Sequence, residues 1–345
     1  MIRSVFRYVL LCFLLLRAGD AEIMAQGMHF SQYFNAPMYT NPANTGFIPT
    51  SDYRIGAHHR TQGFNGSPVY TTMGLYGDMQ LLRNKIAAGW IGLGGMILND
   101  VAGVGKLRTT KVNTSIAYHQ MLGFSSLLSA GFGLTYADKG ITLRDLNFSE
   151  NWNGRFFEAK IPADLSSSFF TSNTAYFDLS AGVNYSFFPN DNFYVHSGLS
   201  LQHINKPKES FFTSSSEDAR IAMRTTFFMD AIYKVDNNII LSPGLYYSQK
   251  AKTSEFLFGA HANLNVSGNG NQQLIIGLYS RLGDAVIPAV GYQWGKFKFT
   301  FTFDIPSTRE KVANRFTGTE LYLQYGGMYT LMSTGKQTFC PTFDN

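Results

Sequence analysis

The stretch KFKFTFTFD, residues 296–304, alternates without a miss. Phe297, Phe299, Phe301 and Phe303 fall on one face of an extended chain; Lys296, Lys298, Thr300, Thr302 and Asp304 fall on the other. YFDLSAGVNYSF (176–187) repeats the pattern, with Phe177, Leu179, Ala181, Val183, Tyr185 and Phe187 opposing Asp178, Ser180, Gly182, Asn184 and Ser186. In EFLFGAHANLNV (255–266), Phe256, Phe258, Ala260, Ala262, Leu264 and Val266 oppose Leu257, Gly259, His261, Asn263 and Asn265. A soluble sandwich also alternates. It does not usually set four phenylalanines of one strand against charges directly behind them. Length separates the two cases: these segments run about 10–16 residues, against about 5–6 in soluble sheets and about 9–11 for a tilted bilayer-spanning strand. The predicted fold class is all-β, a transmembrane antiparallel β-barrel.

Fourteen such segments follow one another, at 53–60, 69–79, 86–98, 107–122, 125–139, 175–188, 192–205, 219–235, 239–250, 253–267, 272–282, 285–294, 296–305 and 318–333. An even count fits a single-chain bacterial barrel. Links after even segments are short: 123–124, 189–191, 236–238, 268–271 and Gly295, with 80–85 a little longer. Most links after odd segments are longer (61–68, 99–106, 140–174, 206–218, 306–317), although those near 251 and 283 are short. Short periplasmic turns facing longer outer loops are the barrel pattern, and they place both barrel termini in the periplasm. Pro243 and Pro288 interrupt two segments and remove a ladder donor, which predicts a bulge or a strand end at each.

The N-terminus has the form of a secretory leader. Arg3 and Arg7 precede an apolar run from Tyr8 to Leu16, and Ala21 or Ala25 supplies a small-residue cleavage position. The run is too short to span a bilayer, and no later stretch has about 18 uninterrupted apolar residues. The expected division is a leader over 1–25, a periplasmic or plug segment over 26–52, a barrel over 53–333 and a periplasmic tail over 334–345. Past the leader Cys340 stands alone, so no internal disulfide staples the chain. A formal charge of +5 without a dense Lys/Arg run gives no footprint for nucleic acid.

Between leader and first strand lies HFSQYFNAPMYTNPANTGF, residues 29–47. Pro37 and Pro42 each deny a strand a donor, while Phe30, Tyr33, Phe34 and Tyr39 carry more ring surface than a disordered tail would. Rings need burial and prolines prevent a strand, so the segment is expected to fold up into or across the barrel mouth. It then serves either as a plug or as a docking face for a periplasmic partner.

A search for chemistry finds little. Gly92-Leu93-Gly94-Gly95 lies within a strand pattern, not ahead of a helix, and reads as glycines that thin the wall or permit a bend. His58 and His59 are adjacent and point to opposite faces; His119, His196, His203 and His261 lack companions at ligand spacing. No G-x-S-x-G occurs, and neither catalytic residues, a metal nor a cofactor is expected. Asp145, Glu150, Glu158 and Asp164 in the 140–174 link leave a weak option of a hydrolase at the rim. That link also holds Phe148, Trp152, Phe156, Phe157, Phe169 and Phe170, which suits a lid folded into the lumen or a surface for a protein partner.

Several stretches resemble one family. HFSQYFNAPMYTNPANTGF, with Phe30, Ser31, Gln32, Tyr33, Asn35, Pro37, Tyr39, Asn41, Pro42 and Gly46, followed by DYRIGAHHRTQ, resembles the N-terminal signature of the PorP/SprF proteins. AYFDLSAGVNYSFFPNDNFYVHSGLSLQHINKP, FGAHANLNV through AVIPAVGY, and TGTELYLQYGG continue the likeness. TFCPTF, with Cys340, Pro341 and Phe343, resembles the family's Cys-Pro tail, although Lys336 is the only basic residue in STGKQTFCPTF where the family usually carries several. The resemblance implies a non-enzymatic outer-membrane barrel, in contact with outer-membrane lipid, that serves type IX secretion. It implies contact with periplasmic secretion-ring or peptidoglycan-binding proteins, or help for a large secreted surface protein such as a gliding adhesin. The alternative is an outer-membrane channel or transporter for small, hydrophobic solutes; the polar inner face (Asp178, Asn184, Lys296, Lys298, Asp304) argues against an oily conduit.

Overall fold

Fourteen antiparallel strands close on themselves. They are β1 Tyr53–Gln62, β2 Tyr70–Ile86, β3 Gly89–Ala102, β4 Leu107–Met121, β5 Ser126–Gly140, β6 Asn173–Asn190, β7 Phe193–Gln202, β8 Arg224–Lys234, β9 Ile239–Lys250, β10 Thr253–Asn265, β11 Gln272–Arg281, β12 Ala285–Trp294, β13 Phe297–Pro306 and β14 Gly318–Gly327. The structure is a computed structural model that describes residues 30–63, 70–103, 106–141, 152–156, 172–211, 219–268, 270–307 and 318–329. Each strand pairs with its sequence neighbours, and β1 pairs with β14 from Tyr53↔Gly327 to Gln62↔Gly318 to complete the ring. Closure removes the unpaired edge that lipid could not satisfy.

Burial follows the alternation. Phe177, Val183 and Tyr185 of β6 are exposed to the outside, while Asp178, Asn184 and Ser186 are buried within. Outward rings gather at both ends, as Phe297–Tyr325 (4.9 Å) beside the short turns and Tyr136–Phe177 (5.3 Å) beside the long links. Two such girdles mark the bilayer interfaces.

The strand boundaries depart from the sequence reading where polar residues hide a strand or end one early. Residues 80–85 belong to β2, which passes a bulge between Leu81 and Ile86 at Leu82 (φ 60) before it turns. β8 starts at Arg224, because the residues before it double back: Ile221 N–H donates to Pro207 O (3.0 Å) and Glu209 N–H to Ala219 O (2.9 Å). β14 ends at Gly327 rather than 333. Neither Pro243 nor Pro288 ends its strand or shifts its register. Instead the ladder lapses beside each on one side, between β8 and β9 and between β12 and β13, while the other neighbour still pairs at Ala260↔Pro243 and Leu278↔Pro288. A proline lacks one donor, and one donor serves one neighbour.

Residues 30–48 are threaded through the lumen. The chain leaves β1 at the short-turn end, where Asp52 N–H donates to Gly327 O (2.8 Å), and climbs to Ser31 beside Asp304 and Glu320 near the long-link ends of β13 and β14. Its prolines start turns. Pro37 opens a single helical turn, α1 (Pro37–Thr40), and Pro42 opens a 3-10 turn capped by Asn41, whose Oδ1 accepts from Ala43 N–H (2.9 Å). Proline suits the first position of a turn because that N–H has no partner there.

The wall makes room with glycines. A Cβ at Gly92 would fall on the Thr45 carbonyl oxygen, and one at Gly182 on Asn41 Oδ1. The inner-face glycines therefore thin the wall, as their strand pattern suggested, and the space is taken by the plug. Gly182→Val is expected to cost about 1–3 kcal/mol by overpacking, read as a lower midpoint of thermal unfolding in detergent micelles. An unchanged midpoint would mean that Asn41 does not seat against β6.

Candidate functional site

The lumen and its plug form the most organised polar region, and four groups of contacts hold it from top to bottom. At the long-link end, Glu320 grips two successive backbone donors, accepting from Ser31 N–H (2.6 Å) and Gln32 N–H (2.9 Å). Ser31 Oγ donates to Asp304 (2.8 Å) and accepts from Arg60 Nη1 (2.9 Å) and Arg281 Nη2 (2.5 Å), which uses its whole hydroxyl capacity. Arg60 spans Glu320 (2.5 Å) and Asp304 (3.0 Å), and Arg281 reaches Glu255 (3.1 Å), Asp284 (2.8 Å) and Asp304 (3.3 Å). Four strands thus converge on one serine of the plug, and β10 joins them through Glu255 on Arg281.

Below this knot, Tyr33 stacks on Tyr246 at 5.1 Å, and its hydroxyl donates to Asp230 Oδ1 (2.6 Å). Phe34 stacks on Tyr279 at 5.1 Å, and Phe30 meets Tyr39 edge-on at 5.1 Å and His58 at 5.2 Å. Removing one partner of a buried hydrogen bond costs more than the bond is worth. Tyr33→Phe, which strands the Asp230 carboxyl, should therefore lower unfolding stability by about 1–3 kcal/mol. Urea titration in micelles checks this, with Phe34→Leu as a packing control.

At mid-depth Asn41 Nδ2 donates to Asn184 Oδ1 (2.6 Å), and Asn184 Nδ2 to Asn44 Oδ1 (2.7 Å). Asn35 Nδ2 donates within the plug to Gln32 Oε1 (2.8 Å). At the short-turn end Gly46 N–H donates to Asp78 (2.7 Å), Trp90 Nε1 donates to Gly46 O (2.9 Å), and Thr45 O lies 2.8 Å from His119 Nε2. Phe47 closes the bottom against Trp90, Leu127, Phe188 and Tyr194.

All ten signature residues, from Phe30 to Gly46, therefore lie in the lumen, and all but the half-buried Tyr39 are buried. Sequence reasoning missed Thr45 and Phe47. It also missed the roles of Arg60, Asp78, Trp90, Asp230, Arg281 and Glu320. Their inward parity was readable; their convergence was not. The loop candidates separate: Trp152 and Phe156 are exposed, and Phe157 lies outside the described residues. The tail residues Cys340, Pro341 and Phe343, the leader, Phe148, Phe169, Phe170 and the carboxylates Asp145, Glu150, Glu158 and Asp164 also lie outside them. His58 faces inward and His59 does not, as adjacency on a strand requires. Among the described residues, no three His, Cys, Asp or Glu side chains come together to hold a metal ion.

A closed barrel of long strands, ringed outside by aromatics and filled by its own N-terminal segment, is a plugged outer-membrane barrel. Solved structures share that fold. A deletion mutant of the monoaromatic hydrocarbon channel TodX superposes with a TM-score of 0.52 at 7% identity, covering 84% of this chain and 94% of that one. The Pseudomonas putida toluene transporter TodX gives 0.50 at 8% (84% and 92%), and the monoaromatic hydrocarbon channel CymD 0.50 at 8% (89% and 96%). Such identities speak for fold alone. The family model of the type IX secretion system membrane protein PorP/SprF matches residues 23–325, and the chain belongs to that family. No curated protein sequence matches it. The family is one of secretion-system membrane proteins, not of enzymes, and together with the barrel it assigns the chain to the outer membrane.

Proposed function

We propose that this barrel is an accessory of type IX secretion that works from its rims. It supports secretion or surface anchoring of substrate proteins such as gliding adhesins, and it contacts periplasmic secretion-ring or peptidoglycan-binding proteins through its short-turn face. The observation that carries this reading is the occupied lumen: residues 30–48 are bonded to the wall from Glu320 and Asp304 at one end to Asp78 and Trp90 at the other. A barrel filled this way has its outer loops, turns and tail left for partners. The leader over 1–25 exports it, and the tail from 334 remains periplasmic. Affinity capture of the tagged protein from membranes of a secreting strain should recover secretion-ring components, a peptidoglycan-binding protein or a large surface protein. Recovery of none of these overturns the proposal.

A second reading, a channel for small hydrophobic solutes, is favoured by the fold shared with TodX and CymD. An apolar cavity beside the plug, lined by Phe30, Met38, Tyr76, Met96 and Leu98, would be its starting point. Uptake of toluene into cells, lost on deletion of this chain while secretion persists, would establish it in place of the first.

A further inference from the structure

Cations of the lumen wall gather at the long-link mouth. Lys111 on β4 and Lys139 on β5 share the inward parity of Asn113 and Ala137; Arg224 on β8 and Lys250 on β9 share that of Thr226 and Ser248. Arg224 and Lys250 stand directly opposite each other in the β8–β9 register. Like charges in that position repel. Lys111 is within electrostatic reach of both, although β4 is not a neighbour of β8 or β9, so the group spans the lumen.

The nearby carboxylates Glu209 and Asp178 attract these cations at a distance, but their direct contacts are made to other groups. Glu209 pairs with Lys139, Asp178 with His203 (2.9 Å), and Asp100 accepts from the Thr72 hydroxyl (2.6 Å). Arg224 is bonded by neutral oxygens, Ser248 Oγ (2.6 Å), Tyr39 OH (2.8 Å) and Tyr246 OH (2.7 Å). Lys111 and Lys250 are half-buried, and their ammonium groups have no hydrogen-bonded or ion-paired partner among the described residues. Partly desolvated cations left without acceptors are costly.

We propose that this corner of the mouth is an anion site, in which Lys111, Lys250 and Arg224 hold a small multivalent anion bearing carboxylate or phosphate groups. The ligand enters from the long-link side. It bridges walls that the sheet itself does not connect, because its oxygens accept from both lysines at once. The site also touches the plug, since Arg224 lies 5.3 Å over the Tyr39 ring and donates to its hydroxyl. Occupancy therefore stabilises the plugged form.

The test is calorimetric titration of the purified full-length protein in neutral detergent at low salt, with citrate as the carboxylate probe and pyrophosphate as the phosphate probe. The double variant K111M/K250M should weaken binding by roughly tenfold or more, as loss of two charge-assisted contacts implies. K296M, on an exposed short turn, should bind like the parent. The anion should also raise the thermal midpoint of the parent and of K296M but not of the double variant. If the double variant misfolds, K111M alone is read the same way. Absence of binding to the parent, or equal binding by parent and K111M, overturns the proposal; the second result marks an adventitious ion only.

Discussion

Deleting residues 30–48 should turn a silent barrel into a conducting one. Barrels of about 8 strands are filled by their own side chains, whereas those of about 16–18 hold an aqueous channel. Fourteen strands with glycines on the inner face leave space that side chains do not fill, and here the plug fills it. The parent should show no steady conductance in a planar bilayer, and the deletion variant should show open steps. The variant should also lose stability, because Glu320, Asp304, Asp230 and Asn184 all lose partners. A variant that folds and stays silent would show that residues 30–48 do not close the lumen. Survival of secretion as well would leave the segment neither a plug nor a docking element. The burial of Ser31, Gln32, Asn41 and Thr45 turns their side chains toward the wall, so the plug role accounts for them without a partner.

Arg60→Ala should be the most damaging single substitution in the knot. Arg60 is 4% exposed and holds Glu320, Asp304 and Ser31 together. Its removal leaves Glu320 with only the Ser31 and Gln32 N–H groups, and Asp304 with Arg281 and the Ser31 hydroxyl. Breaking one side of a buried ion pair costs about 3–5 kcal/mol, whereas replacing the whole group by apolar side chains can be neutral. Arg60→Ala should therefore lower the urea midpoint strongly. The triple change Arg60→Met, Glu320→Leu, Asp304→Leu should recover part of the loss but still release the plug, because Ser31 and Gln32 lose their acceptors. Arg60→Lys should fall between, since an ammonium lacks the guanidinium fork. A loss under about 1 kcal/mol for Arg60→Ala would place these charges in water.

The strands were legible because each carries its own pattern. The Phe face of β13 and the Asp-Ser-Asn face of β6 could be assigned inward or outward from a dozen residues, and the assignment held at Asp178, Asn184 and Asp304. Reading failed where pattern and pairing part. Arg83, Asn84 and Lys85 look like a turn but lie within β2, in the irregular stretch between Leu81 and Ile86, after which pairing resumes at Ile86↔Gly89. Residues 219–223 look like strand but bond back to Pro207 and Glu209. The plug was half legible. Its rings and prolines predicted burial without a strand; its partners lay beyond any local signal.

Local order in the chain settled the class of fold, the direction of each strand's two faces and the need to bury residues 30–47, because alternation, ring content and proline geometry act within a few residues. Ring closure settled everything that depends on distance along the chain. Ser31 meets Glu320 across 289 positions and Arg281 across 250, and Tyr33 meets Asp230 across 197. No periodicity encodes such a meeting. It follows from closure, in which β1 pairs with β14, brings the two ends of the sheet to one seam and encloses the plug within the ring.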